Sequence, residues 1–231
     1  LGLISWGPDP DFAMGAIRAG YDVGRAGADL SAWAGITLDA LDEVAPLLAG
    51  EVRPPDTWPN SHVADRLFTV ARLVESDMPV QVATVDMGGW DHHDDMGAAT
   101  DPGGRTHGHV DQLDSAIGAF FDRLDAAGRG DRVTLVAMTE FGRRLAENDS
   151  GGTDHGFGST MLMVGSGLNP GVHGEWPGLG PTELAGGDLA VTVDYRTVLA
   201  EVLGRNMGAS DLSSVFPGFD TSPGSFVGVT S

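Results

Sequence analysis

Residues 80–95 read VQVATVDMGGWDHHDD. The β-branched run Val80–Val85 ends where Asp86, Gly88 and Gly89 break the pattern, which is the composition of a buried parallel strand that opens into a loop at its carboxyl end. Binding and catalytic side chains of open α/β sheets gather at such ends. Here the loop carries Trp90-Asp91-His92-His93-Asp94-Asp95. On the amino side, His62–Glu75 places Val63, Leu67, Val70, Ala71 and Val74 at helical intervals. Residues 31–50, SAWAGITLDALDEVAPLLAG, have the spacing of another helix that stops at Gly50, and the proline-rich segment 51–60, EVRPPDTWPN, predicts a loop between the two. On the carboxyl side, Val110, Leu113, Ile117, Phe120, Phe121 and Leu124 recur every three to four residues up to Ala127 and Gly128. They predict an amphipathic helix that His107 and His109 precede, suited to the crossover of a βαβ unit.

Two more apolar runs follow, Arg132–Met138 (RVTLVAM) and Thr160–Gly165 (TMLMVG), and both predict strands. Residues 166–188, rich in Gly and Pro, predict a loop, Tyr195–Leu203 a last helix started by Asp194, and the polar tail after Phe216 a mobile end. The alternation of strand and helix gives the expected fold class: α/β, a three-layer α/β/α sandwich with a mainly parallel sheet. A chain of 231 residues that is 41% hydrophobic can bury one sizeable core. The expectation is therefore a single domain over 1–231, with 1–59 a peripheral helical region and 60–220 the core.

Charge and composition narrow the chemistry. The 33 acidic residues against 13 basic ones, every one of them Arg, leave a formal charge of -20. Such a surface repels a phosphate backbone and anionic headgroups, so nucleic acid and membrane surfaces are poor partners. No apolar run reaches the ~18 residues of a spanning helix, so no membrane insertion is expected. There is no cysteine, so any metal must be held by carboxylate oxygen and imidazole nitrogen. Beginning at Leu1, the sequence reads as a processed protein or a fragment.

Five of the seven histidines lie between positions 92 and 155, among clustered aspartates. The loop Trp90–Asp95 offers the carboxylate and imidazole mixture that Zn²⁺, Mn²⁺ or Fe²⁺ accepts. A solvated acidic loop with two histidines accounts for the same residues. A second cluster, Gly151-Gly152-Thr153-Asp154-His155-Gly156, puts adjacent Asp and His in a glycine-rich loop before the third strand, where a structural Asp–His pair is the alternative. Both clusters are expected at carboxyl ends of strands in one sheet, where separate segments meet. Arg143 follows a strand at the same end and can offer its planar fork to an anionic substrate, or pair with a carboxylate to hold the loop. His107 and His109 are candidates for a further ligand or for capping, with capping the simpler reading.

The runs GGWDHH (88–93), TEFGRRLAEN (139–148), GTDHG (152–156) and GVHGEWPGL (171–179), with Gln112 and Leu113 in the helix between the first two, resemble a bacterial family of exported proteins known as domain-of-unknown-function family 1501. That family is placed in the alkaline-phosphatase and sulfatase-like superfamily. The resemblance covers about residues 60–220. Its motifs GGWDTH, SEFGR followed by Asn, and GTDHG match Asp91, His93, Glu140, Phe141, Gly142, Arg143, Asn148, Asp154, His155 and Gly156 position by position. His92 replaces the usual Thr, Thr139 the usual Ser, and His173 stands where Tyr is common. The resemblance implies divalent metal ions (Zn, Mn or similar) as cofactors on a two-metal scaffold. Asp154 and His155 would hold one ion, Asp91 and His93 the other, and the pair would clamp a small anionic ester. The activity implied is hydrolysis of phosphate or sulfate esters, with Arg143 as the substrate contact. A non-catalytic metal-binding or structural protein on the same scaffold is the alternative. The resemblance also implies export. The Gly-Gly-Asn-Asp-Gly-like motif that the family carries on an earlier strand is not found, which leads to the expectation that an amino-terminal segment is missing here.

Overall fold

A computed structural model of the chain describes residues 28–49, 53–98 and 100–231, with side chains of the first helix described over 34–46. The start at Leu1 and the helix stop at Gly50 lie outside the described residues. Helices α1 (Ala28–Ala49), α2 (His62–Glu75) and α3 (Arg105–Ala126) precede four short strands, and α4 (Tyr195–Arg205) follows them, in a mixed α/β arrangement. The strands are β1 (Thr134–Ala137), β2 (Gly142–Arg143), β3 (His155–Gly156) and β4 (Leu162–Gly165). The described residues group into two compact units. One runs up to Asp86 and includes Ser115–Phe120; the other comprises Met87–Asp114 and Phe121–Ser231.

In the first unit, α2 forms where the apolar spacing predicts it. Ser61 caps it by accepting the Ala64 amide at 3.3 Å, Asp65 sits in the first turn and Arg72 in the last, matching the helix dipole. Its buried side is Val63, Ala64, Leu67, Phe68 and Ala71. Trp58 locks the preceding loop by donating its indole N–H to the Ala64 carbonyl at 3.0 Å and meeting Phe68 edge-on. The expected strand Val80–Val85 is not one. Its residues pair with no strand, and Val82 is 69% exposed. Pro79 removes a donor at its start, and among the described residues no neighbouring strand completes a ladder, so the β-branched composition has nothing to pair with.

The second unit corrects the expected parallel sheet. Its two small sheets are antiparallel: Thr134 to Ala137 pair with Gly165 to Leu162, and Gly142 and Arg143 pair with Gly156 and His155. The inner pair lies within the connection of the outer pair, so the four strands nest as one long hairpin. A parallel pair needs a crossover between its strands; here the chain goes out and returns. Four residues (138–141) lie on the outgoing side between the sheets and five (157–161) on the return, an offset of one residue of the kind that bends a hairpin. Helix α3 starts earlier than its apolar period suggests, so His107 and His109 lie inside its first turns rather than before it.

The tail after Phe216 is anchored, not mobile. Glu201 on α4 is fully buried and accepts the amides of Gly228 and Thr230 and the Thr230 hydroxyl, each at 2.9 Å. Asn169 donates to the carbonyls of Gly228 and Thr230 at 2.9 and 2.8 Å, while Phe219 and Phe226 pack against the core cluster Ala200, Leu212 and Phe216. The polar composition hides this anchor because a buried carboxylate, rather than an apolar stripe, receives the tail. Burial pushes the Glu201 carboxyl up, and the hydrogen bonds from Thr230, Gly228 and Val229 outweigh it, so the net shift is downward.

Candidate metal centre

Two loops carry the candidate ligands, and their backbones are joined. The Asp95 amide donates to the Ser150 carbonyl at 3.0 Å, the Met96 amide to Gly151 at 2.9 Å, and the Thr153 amide to the His92 carbonyl at 3.2 Å. Asn148 is the hub of the second loop. Its side-chain oxygen accepts the amides of Ser150 and Gly152, and its side-chain nitrogen donates across to the His93 carbonyl at 2.8 Å. An Asx turn thereby doubles as a bridge between loops. Sequence reasoning noted Asn148 only as a motif match; the signal that it is a turn head was the Gly-Gly pair that comes after it.

The chain through Trp90–His93 runs in two successive three-residue turns, the His92 amide donating to the Trp90 carbonyl at 2.9 Å and the His93 amide to the Asp91 carbonyl at 3.2 Å, and its side chains alternate between exposed and buried. Asp91 and His93 are exposed on one side, and His92 between them is buried at 2% exposure. The His92 ring meets His109 edge-on at 5.0 Å and its Nδ1 lies 3.4 Å from the Thr106 hydroxyl. Burial above all, then the charges of His109 and Arg105, lowers its pKa and favours the neutral ring. His92 is thus a packing residue, and His93, which the motif match had singled out from the two, is the one beside Asp91.

Three donor atoms converge. Asp91 Oδ1 lies 2.7 Å from His155 Nε2 and 3.0 Å from His93 Nε2, and the two imidazole nitrogens are 3.3 Å apart. A tetrahedral zinc with bonds of ~2.0–2.1 Å spaces its donors ~3.3 Å apart, and an octahedral ion with ~2.1 Å bonds spaces neighbouring donors ~3.0 Å. The triangle therefore fits a divalent cation, and two imidazoles with one carboxylate are a donor set that such ions accept with positions left open. The ligand side chains are between 45% and 60% exposed, so those positions face solvent. The hydrogen bond from His155 foremost, with the charges of His93, His155 and Arg143, holds the Asp91 carboxyl below its ordinary range.

Asp154 stands elsewhere. Its Oδ1 lies 3.0 Å from Nδ1 of His93, the ring nitrogen remote from the triangle. The bond to His93, then the contact with Asn148, holds its pKa below the ordinary range. Phe141 lies flat on His155, ring centroids 3.8 Å apart at 10°, and fixes the orientation of that imidazole.

Arg143 is occupied by the protein itself. Its guanidinium donates to the carbonyls of Thr153 and Trp90, approaches Asp91 Oδ1 at 3.4 Å, and sits over the Phe141 ring. It links the two ligand loops just ahead of Asp91 and Asp154. Glu140 is exposed, and His173 bonds the Asn169 carbonyl at 2.8 Å, outside the triangle.

A family model described as Protein of unknown function (DUF1501) matches residues 26–216. The chain belongs to that family. The DUF1501 match contains the whole triangle and also Phe141, Arg143, Asn148 and Asp154. No curated protein and no solved structure matches the chain.

Proposed function

We propose that this DUF1501 chain carries a metal-dependent hydrolase centre for phosphate or sulfate esters, with kinship to the alkaline-phosphatase and sulfatase-like superfamily. The observation that supports it most is the convergence of Asp91 Oδ1, His93 Nε2 and His155 Nε2 from two loops about sixty residues apart in sequence. A divalent cation bound there supplies Lewis-acid chemistry, polarising an ester oxygen and acidifying water. The chain's own residues prepare that position: Asn148 and Arg143 hold the loops in register, and Phe141 orients His155. Positive charge at the triangle also gives an anionic ester a favourable seat on a chain of net charge -20. Export, as for the family it resembles, is part of the same proposal.

One observation favours the second reading, a non-catalytic metal-binding protein. Among the described residues, no Ser or Thr hydroxyl hydrogen-bonds to a triangle atom; of the motif hydroxyls, Thr139 donates to Ser159 at 2.7 Å and Thr153 to the Met96 sulfur at 3.8 Å. Water is accordingly the nucleophile in the hydrolase reading. The test is turnover of aryl phosphate and aryl sulfate by protein loaded with Zn²⁺ or Mn²⁺, with and without a chelator, alongside Asp91→Ala. Turnover that chelation and Asp91→Ala both abolish supports the hydrolase. Loaded protein that turns over neither ester leaves the second reading.

A further inference from the structure

The resemblance implies two ions per chain, one of them held by Asp154 and His155. The geometry points to a mononuclear centre, in which Asp154 is a positioning residue that acts through His93 rather than a ligand. This rests on the metal-binding part of the proposed function and differs from it in stoichiometry and in the role of one residue.

Three observations carry it. First, the donors within 4.8 Å of one another are Asp91, His93 and His155, and Asp154 is not among them. His93 lies between: Nε2 faces Asp91 and His155, and Nδ1 faces Asp154 at 3.0 Å. The lone pairs of the two ring nitrogens point to opposite edges, so a cation at Nε2 is beyond the reach of the Asp154 oxygen that engages Nδ1. Second, that oxygen is held from behind. Asn148 Nδ2 lies 3.5 Å from it while donating to the His93 carbonyl at 2.8 Å, so carboxylate and imidazole share one support. A carboxylate on Nδ1 places the ring proton there and leaves Nε2 as the free donor, the outer partner that metal-binding imidazoles commonly have. Third, among the described residues no second group of three His, Asp or Glu donors converges in this way.

The experiment is zinc stoichiometry by mass spectrometry, with zinc affinity by competition against a chromophoric chelator, on the unaltered chain, Asp91→Ala, Asp154→Ala and Asp154→Asn. The visible spectrum of the Co²⁺-substituted proteins reads ligand number independently of folding. The expected result is one equivalent in the unaltered chain and loss of stoichiometric binding in Asp91→Ala. Asp154→Ala should keep one equivalent at saturation with Kd raised about 10- to 100-fold. Asp154→Asn, which retains an oxygen acceptor for Nδ1–H, should fall between, and the Co²⁺ spectrum should keep its intensity in both Asp154 variants. Asp154→Asn also serves where Asp154→Ala does not fold. Two equivalents in the unaltered chain, or a Co²⁺ spectrum that changes in Asp154→Asn as it does in Asp91→Ala, would overturn the inference while leaving metal binding in place. No bound metal in the unaltered chain would overturn the metal reading itself, and this inference with it.

Discussion

Replacing Gly152 by alanine should separate the ligand loops without straining the backbone. A Cβ built on Gly152 lies 2.3 Å from the His93 carbonyl carbon, 2.5 Å from its oxygen and 2.6 Å from the Asp94 nitrogen. Carbon atoms in ordinary contact are ~3.5–4.0 Å apart, so the loops must part by more than about 1 Å. All three atoms are backbone, and no side chain can rotate away to make room. Metal–ligand distances tolerate only about ±0.2 Å, so His93 and His155 then cannot reach one ion together. Misplacement on that scale is expected to cost about 10²-fold in zinc affinity, judged by what a 1 Å error costs at other preorganised sites. Gly151→Ala is the control. Gly151 has φ +72° and its Cβ would meet only the Asp95 nitrogen at 3.9 Å, so alanine there costs roughly 1–2 kcal/mol of left-handed strain without forcing the loops apart. Zinc competition and thermal melts on both variants separate the two effects. Zinc binding by Gly152→Ala within threefold of the unaltered protein would refute the idea that backbone contact between these loops sets the site.

Arg143→Lys removes the planar fork that reaches the Trp90 and Thr153 carbonyls together, so zinc affinity should drop about tenfold or more with helix content unchanged by circular dichroism; unaltered affinity would return Arg143 to the role of a free substrate contact. Glu201→Gln should loosen the tail by about 2 kcal/mol, seen as roughly thirtyfold faster hydrogen exchange at the Gly228 and Thr230 amides near neutral pH. The folded-state pKa of Glu201 is lowered, so its contribution is complete above the ordinary glutamate value of about 4.3 and is lost as pH falls through the folded value. Exchange in the unaltered chain should therefore approach that of the variant on acidification, and equal exchange near neutrality would disprove the anchor.

Local pattern carried the helices further than it carried the sheet. Helix α2 occupies His62–Glu75 as its period and its Ser61 cap require, and Asp194 starts α4 by accepting the Arg196 amide at 2.9 Å. Those signals are complete within a few residues. The strands Arg132–Met138 and Thr160–Gly165 were legible as extended segments, yet their direction of pairing depends on how the intervening chain returns, which composition does not encode. Val80–Val85 shows the same limit from the other side: β-branched residues favour a strand but do not supply its neighbour. The anchored tail was hidden for a different reason, because Glu201 reads as an ordinary exposed position on α4 until the tail that buries it is placed.

At the site, residue types were legible and their sides were not. A single pattern, the alternation of neighbouring side chains between the two sides of each loop, organises what the structure shows. Asp91 and His93 are two apart and share a side, which makes them partners and sends His92 inward. Asp154 and His155 are adjacent, so the same pattern divides them: His155 points to Asp91, and Asp154 to the far nitrogen of His93. The family resemblance implies that these two hold one ion together. Applied to both loops at once, alternation instead yields three donors on one side and one supporting carboxylate behind. That arrangement makes Asp154→Asn a milder change than Asp91→Ala, although both residues are exposed aspartates with lowered pKa values.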